Sequence, residues 1–464
     1  MTYNIMVLGS GAREHAITKS LSKSKYEKKL FCIGSGHNPG IFKLCHHYSI
    51  GDYNDSDFVV NYAKEHNITI VIIGPENPLE MGIADALLKA GVDVIGPRKE
   101  LAMIESSKTF TRNLQKEFNI PGGPKYCSFS NMNGVEDYIN ELGEDFVIKY
   151  DGLAGGKGVK VFGEHIHSIS DGLSFCKDIV SGGGSFLIEE KFIGEEFSLM
   201  SFCDGKNIKH MPIVQDHKRA FDGDVGPNTG GMGTYTDSNH SLPFLKNTDI
   251  EDAKNINKLT LKALKSKTGL DYKGILYGGF IAVKDGVKLI EYNARFGDPE
   301  AMNVLSLLKT DLIDVCESMI AGNLDKCNIE FYKKATVCKY AVPTGYPEDP
   351  IKNEEVSIDN VSDAECVYYA SVDLRNDVLI ETGSRTLAFI HVANSIYEAE
   401  EYVEKNISNV KGPLFHRSDI GTKEVIDKKT GYLLQWRCPG PFVEKLEILL
   451  KSKDLRESMG KNAR

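Results

Sequence analysis

Short apolar runs alternate with longer amphipathic or polar stretches through residues 1–97. Ile5–Leu8, Leu30–Ile33, Ile68–Ile73 and Val92–Ile95 run into or close to glycines and read as buried strands. Between them, Glu14–Ser24, Ser56–Glu65 and Met81–Leu88 read as helices. Strand–helix alternation at this spacing implies right-handed βαβ units and an open parallel sheet. Ligands on such sheets bind beyond the carboxyl ends of the strands, which brings forward Gly9–His15 and Gly74–Leu79 as ligand loops.

The pattern changes after Pro97. A polar helix is expected over Lys99–Phe118, followed by strands with glycine-rich connections at Phe146–Lys149, Val159–Phe162 and Phe186–Glu189. Ile250–Thr268 is helical in pattern, Ile275–Val283 and Val287–Tyr292 suggest a hairpin across Lys284–Gly286, and another helix should start near Pro299. A third unit opens near Ala335, with strand-like runs at Ala335–Ala341, Cys366–Ala370 and Thr386–Val392 and a helix at Ile396–Ile407.

With 464 residues, about three domains are expected, each able to bury a core without disulfide or metal support. Hydrophobic residues at 41% and charged residues at 26% are ordinary for a globular chain. The net charge of −10 argues against a non-specific nucleic-acid binder but permits a local anion site. Ten scattered cysteines without a C-x-x-C pair suggest a reduced, cytoplasmic chain. The apolar run Ile70–Ile73 is far below the roughly 20 residues of a membrane span, and no signal peptide is expected before Ile5.

Five segments carry candidate chemistry. Gly9-Ser10-Gly11-Ala12-Arg13-Glu14-His15 follows a strand and opens a helix, where free backbone N–H groups and the helix dipole favour an anion. It is no dinucleotide fingerprint, because Glu14 holds the third glycine position and the second strand ends at Gly34-Ser35 without an acid. Arg13 and His15 suit a phosphate monoester. Lys149 to Val159 places lysines before and within a glycine run between two strands, as a flap over phosphates would need; it is not a P-loop, because Gly158 follows Lys157. Ile188–Ser198 reads as strand, connector and strand, whose backbone could read an adenine edge and whose carboxylates could hold ribose hydroxyls. Glu291, Asn293 and Arg295 fall on one strand face by the period of two, and two oxygen ligands there suit Mg²⁺, which borrows its other ligands from phosphates and water. Gln215–Arg219 and Asp222–Gly233 form a long polar loop of the kind that is usually functional.

In this order, the segments resemble glycinamide ribonucleotide synthetase (phosphoribosylamine–glycine ligase), a family of the ATP-grasp superfamily. The likeness runs from Ile5 to about Ile426 and includes Gly74–Leu79, Gln215–Gly233, Ile290–Glu300, Thr344–Pro347, Thr382–Arg385 and His416–Gly421. Ala12 stands where the family usually has glycine, and Gly155 where alanine is common. The resemblance implies an α/β chain: an N-terminal open parallel-sheet (pre-ATP-grasp) domain over 1–104, an ATP-grasp domain over 105–332 with a flap subdomain at about 125–195, and a C-terminal α+β domain over 333–426.

It also implies a reaction. ATP would convert the carboxylate of glycine to an acyl phosphate with Mg²⁺ (or Mn²⁺), and the amine of 5-phosphoribosylamine would displace phosphate. Lys108, Lys149 and the flap residues Gly156 and Lys157 would hold ATP phosphates; Glu189, Glu190, Phe192 and Ile193 would line the adenine, and Glu196 the ribose. Glu291 and Asn293 would ligate the metal. Arg295 and Asp216 would act in catalysis, with Gly297 and Asp298 beside them on the substrates, and Gly11, Arg13, Glu14 and Pro75 on the phosphoribosylamine side. Only small-molecule partners are implied, in a monomer or small homo-oligomer. Residues 427–464 extend past the family's usual end; they look like the end of a GT-B glycosyltransferase but are far too short for a second activity, and an amphipathic extension is expected. Two other readings are another ATP-grasp ligase or carboxylase of purine synthesis, from which the Gln215–Gly233 loop separates it, and a non-catalytic nucleotide binder, which would not need all of Lys149, Lys157, Glu291, Asn293 and Arg295.

Overall fold

The computed structural model describes residues 2–155, 158–426, 450, 452 and 453. Strand Tyr3–Leu8 is buried from Ile5 onward and pairs in parallel with Lys28–Gly34 on one side and Ile70–Ile73 on the other. His47–Ile50 and Asp93–Ile95 complete a five-stranded parallel sheet. The chain steps outward from the first strand and then returns to its other side, so the first and fourth strands in chain order flank the point where the order reverses. That point is where a crevice opens beyond the strand ends. Gly9 and Gly74 both sit there, with Gly74 N donating to Leu8 O at 3.1 Å. The expected open sheet is present, with one short helix (Pro39–Leu44) and the edge strand His47–Ile50 that periodicity alone passes over.

Two expected helices are broken. Met81–Leu88 is two helices, Glu76–Met81 and Ile83–Lys89, because Gly82 takes a left-handed conformation (φ 85°) that ends one and starts the next. Lys99–Phe118 breaks at Ser107, which leaves helical geometry and caps a new helix, Lys108–Glu117, by accepting from Phe110 N at 3.1 Å. The break gives Lys108 the first helical position.

The middle of the chain builds two antiparallel sheets that face each other across a cleft. In the first, Tyr126–Phe129, Phe186–Glu190, Phe146–Tyr150 and Val159–Val161 lie side by side in that order. Phe146, Ile148, Phe186 and Ile188 alternate onto one face and pack beneath helices Val135–Leu142 and Ile169–Ser181, which leaves Val147, Lys149 and Glu189 to the other. The second sheet runs Ile208–His210, Glu195–Asp204, Lys273–Val283, Gly286–Asn293, and its last two strands are the expected hairpin. Helix Glu300–Leu307 follows with Pro299 as its N-cap.

The third sheet is antiparallel: Gln215–Asp216, Gly233–Thr236, Ala335–Pro343, Leu387–Ala393 and Val367–Tyr369, with helix Ile396–Ile407 packed against it. The strand expected at Cys366–Ala370 is shorter, because a 3₁₀ turn over Ala364–Cys366 precedes it. The polar Gln215–Gly233 segment begins in one strand of this sheet, Gln215–Asp216, and ends at the start of another, Gly233–Thr236, so that loop is stitched into the same sheet as the residues after Ala335. No described helix is long and apolar enough to cross a membrane. The expected amphipathic extension over 427–464 lies outside the described residues, apart from the isolated positions given above.

Candidate active site

A cleft of about 1150 Å³ is lined by both middle sheets, the Gln215–Gly233 segment, Arg13 and Glu76 from the first domain and Arg385 from the third. Its floor is a buried ion cluster. Glu189 accepts from Arg112 through both oxygens (Nε 2.6 Å, Nη2 3.0 Å) and pairs with Lys149 Nζ at 2.7 Å. Burial alone would raise the Glu189 carboxyl, but Arg112 and Lys149 outweigh it and hold it down at about 2. Burial conversely depresses Lys149, with Glu189 opposing. The Glu189 side chain is thus fully engaged by cations, and it holds Lys149 in place.

The strand carrying the metal candidates contains a bulge. Gly279 faces Glu291 and Phe280 faces Leu289, which leaves Ile290 as an extra residue. Val287 and Leu289 point into the core; without the bulge Glu291 would follow them, but the extra residue hands that side to Tyr292 and turns Glu291 and Asn293 to the cleft. The Ile290 carbonyl accepts from Arg112 Nη2 (2.7 Å) and Lys149 Nζ (3.0 Å). Burial acts to raise Glu291, yet Lys218, Lys108, Lys149 and Arg295 together hold its carboxyl below the usual value, so it is ionised at neutral pH. The amide of Asn293 suits its neighbours when its nitrogen donates to Glu105 Oε1 at 3.1 Å, which leaves the oxygen available as a ligand.

Arg295 lies beyond the strand end and is held by Glu105 (3.0 Å) and Glu76 (3.4 Å). Glu105 also accepts from Ala294 N at 2.6 Å, so one carboxylate organises three successive residues, 293–295. Lys218 stands between Glu196 (3.4 Å) and Glu291 (3.9 Å), whose charges keep it protonated against burial. Asp216 Oδ1 is buried without a hydrogen bond, and burial together with Glu300 pushes the carboxyl well above its usual value. Glu300 accepts from Tyr277 OH at 2.8 Å, and a Cβ on Gly297 would lie 2.4 Å from its Oε2. Lys108 Nζ donates to Gly152 O at 3.1 Å, while Phe192, Ile193 and Glu196 line the cleft opposite. Glu190 lines its edge and accepts from Lys125 N at 2.9 Å. Gly156 and Lys157 lie outside the described residues.

On the first-domain side the structure sorts the candidates. Arg13 reaches the cleft, with Nε donating to Glu14 Oε1 (2.6 Å) and Nη1 to Phe296 O (3.3 Å). Glu14 is a plug: its other oxygen accepts from Gly11 N at 2.7 Å, and a Cβ on Gly74 would fall 2.1 Å from its Oε1. The missing third glycine of the fingerprint is therefore replaced by a carboxylate that demands glycine opposite it. Gly11, Glu14 and Pro75 support this loop from behind the cleft lining, and Glu76 takes the lining position beside them. His15 is corrected outright. It packs against Tyr368 and Tyr369, its Nδ1 accepts from Tyr369 N at 3.1 Å, and burial holds it down to about 3, so it is a neutral joint between domains and no phosphate partner.

Three phosphoribosylglycinamide synthetase domain profiles match in sequence: the N domain over residues 3–105, the ATP-grasp (A) domain over 106–301 and the C domain over 336–423. The chain belongs to the phosphoribosylamine–glycine ligase family. The ligase of Methanosarcina barkeri is 46% identical over 433 residues, covering 93% of this chain and 99% of its own. That of Methanococcus vannielii is 47% identical over 436 residues, covering 92% and 98%. The crystal structure of the Thermotoga maritima ligase superposes with a TM-score of 0.77 at 26% identity, covering 90% of this chain and 100% of that one. As a member of this family the chain is an ATP-dependent, ATP-grasp ligase.

Sequence reasoning missed several residues around this ligase cleft. Lys218, Glu300, Glu76 and Arg385 sit inside quoted motifs, and a cation or anion in a functional loop was the available signal. Glu105 and Arg112 lie on helices Lys99–Ser106 and Lys108–Glu117, where nothing separates them from solvated charges.

Proposed function

We propose that this chain joins glycine to 5-phosphoribosylamine with ATP, through glycyl phosphate, giving glycinamide ribonucleotide, ADP and phosphate. The observation that carries the reading is the buried Arg112–Glu189–Lys149 cluster, which bonds the Ile290 carbonyl beside Glu291 and Asn293: fixed cations for phosphates next to an ionised carboxylate and a neutral amide oxygen.

Lys149, pinned by Glu189 and the Ile290 carbonyl, and Lys108, at the start of its helix, bind ATP phosphates without having to be ordered at the moment of reaction. Glu291 and the Asn293 oxygen fit a hard divalent ion that takes its remaining ligands from phosphates and water. When bound, Mg²⁺ (or Mn²⁺) neutralises phosphate charge during transfer. Phe192, Ile193 and the backbone around Glu189 and Glu190 enclose the adenine, with Glu196 at the ribose. Arg295, anchored by Glu105 and Glu76, faces the charge that develops as the carboxylate of glycine takes up the phosphoryl group. Asp216 contacts glycine beside Glu300, and Arg13 faces the phosphate of phosphoribosylamine across from Asp298.

The test is product formation by the purified chain with ATP, Mg²⁺, glycine and phosphoribosylamine generated in place. Release of ADP together with glycinamide ribonucleotide, each requiring both glycine and the amine, supports the reading. ADP release indifferent to either substrate, or product formed with another amino acid and not with glycine, refutes it.

A further inference from the structure

Asp298 stands where all three parts of the chain meet. Its Oδ1 accepts from Tyr340 OH at 2.6 Å and pairs with Arg385 Nη2 at 3.3 Å. Tyr340 lies in the third sheet, where it faces Ala388 and Ala341 faces Leu387, and Arg385 lies two residues before the strand Leu387–Ala393 that borders Tyr340. The Arg385 guanidinium rests over the Tyr340 ring at 4.6 Å from its centroid. Its Nη1 donates to three carbonyls, Gly230 (2.6 Å), Asp298 (2.9 Å) and Gly231 (3.2 Å). Among the described residues, Asp298 Oδ2 accepts no hydrogen bond. A Cβ on Gly11 would lie 3.9 Å from it, which puts Oδ2 on the Gly11–Arg13 side.

A short carboxylate with one oxygen held twice has little rotational freedom left, and its second oxygen is aimed before any ligand arrives. Burial and the Asp298 charge both raise the Tyr340 phenol, so it remains a donor throughout the neutral range. We propose that Tyr340 and Arg385 are positioning residues that fix one oxygen of Asp298 and direct the other at an N–H or O–H donor of the phosphoribosylamine. This rests on the reaction proposed above and gives the third domain a part in that active site.

Tyr340→Phe keeps the ring, the packing and the stack on Arg385 and removes only the donor. Arg385→Lys keeps the charge but cannot serve three carbonyls and Asp298 together, so if it fails to fold, Tyr340→Phe carries the test. Steady-state kinetics with each substrate varied in turn should show kcat/KM for phosphoribosylamine about 10- to 100-fold lower in Tyr340→Phe, the range of one hydrogen bond to a charged group. The KM for ATP should stay within about twofold. The double variant Tyr340→Phe/Asp298→Asn should be no worse than Asp298→Asn alone, since both losses act through one carboxylate. A wild-type kcat/KM in Tyr340→Phe, or a penalty that multiplies with that of Asp298→Asn, overturns the inference. A wild-type chain that makes no product refutes the proposed reaction instead, so the two failures are distinguishable.

Discussion

Glu189→Gln is nearly isosteric and leaves no cavity, so its effect isolates charge. In the wild type both carboxylate oxygens are engaged: Arg112 donates to each, and Lys149 Nζ approaches Oε2 at 2.7 Å. All three side chains are at most 7% exposed, so water cannot replace what is lost. Glutamine offers one oxygen where two were needed and turns an NH₂ donor toward a cation. Breaking a buried pair from one side costs about 3–5 kcal/mol, a fall in thermal midpoint of roughly 6–20 °C for a domain of this size. The pH dependence has a definite sign. Glu189 is held at about 2 in the folded chain against an ordinary 4.5, so its contribution is complete above about 4.5 and is lost as pH falls toward 2. That part of the acid unfolding profile should be absent in the variant. Lys149 also loses the charge that opposes its burial, so it gives up its proton at lower pH. The KM for ATP should therefore rise across the neutral to mildly alkaline range, more steeply than in the wild type. Denaturant and thermal unfolding beside ATP kinetics from pH 6 to 9 would check this. An unchanged unfolding midpoint together with a wild-type KM for ATP at every pH would refute the assignment of Glu189 as the group that holds Lys149.

Glu291→Gln should abolish turnover at saturating ATP and Mg²⁺ with little change in a thermal melt, because it removes an anionic ligand that faces the cleft; near wild-type turnover would take Glu291 out of the metal site. Arg13→Ala should raise the KM for phosphoribosylamine about 10- to 100-fold and leave that for ATP nearly unchanged. Because Arg13 also pairs with the buried Glu14, the same variant should lose about 3–5 kcal/mol of stability in denaturant unfolding. Unchanged kinetics with lost stability would make Arg13 a purely structural partner of Glu14. A chain ending at Ile426 should retain ligase activity, since the matched family domains end at residue 423; loss of product formation in a folded truncation would assign the later residues a part in the site.

The parts of this protein readable from the chain are those that local physics determines. Alternation between buried runs and amphipathic stretches is a one-dimensional property, and it carries the parallel sheet, the Lys273–Val283/Gly286–Asn293 hairpin and helices such as Ser56–Glu65 and Ile396–Ile407. Glycine runs and lysines in loops likewise mark phosphate chemistry wherever they fold. What only the tertiary structure decided depends on neighbours far away in sequence. A period of two places Glu291, Asn293 and Arg295 together, but it also places Glu291 in line with the buried Leu289; the Ile290 bulge, visible only against the partner strand, removes that conflict. Glu14 reads as a failed glycine until Gly74 is seen against it. His15 reads as a phosphate ligand until the third domain covers it. Glu105 and Arg112 look like solvated helix charges because a single chain does not reveal which charge will be desolvated beside which. Burial turns such pairs from weak surface contacts into constraints, and burial is a property of the assembled fold.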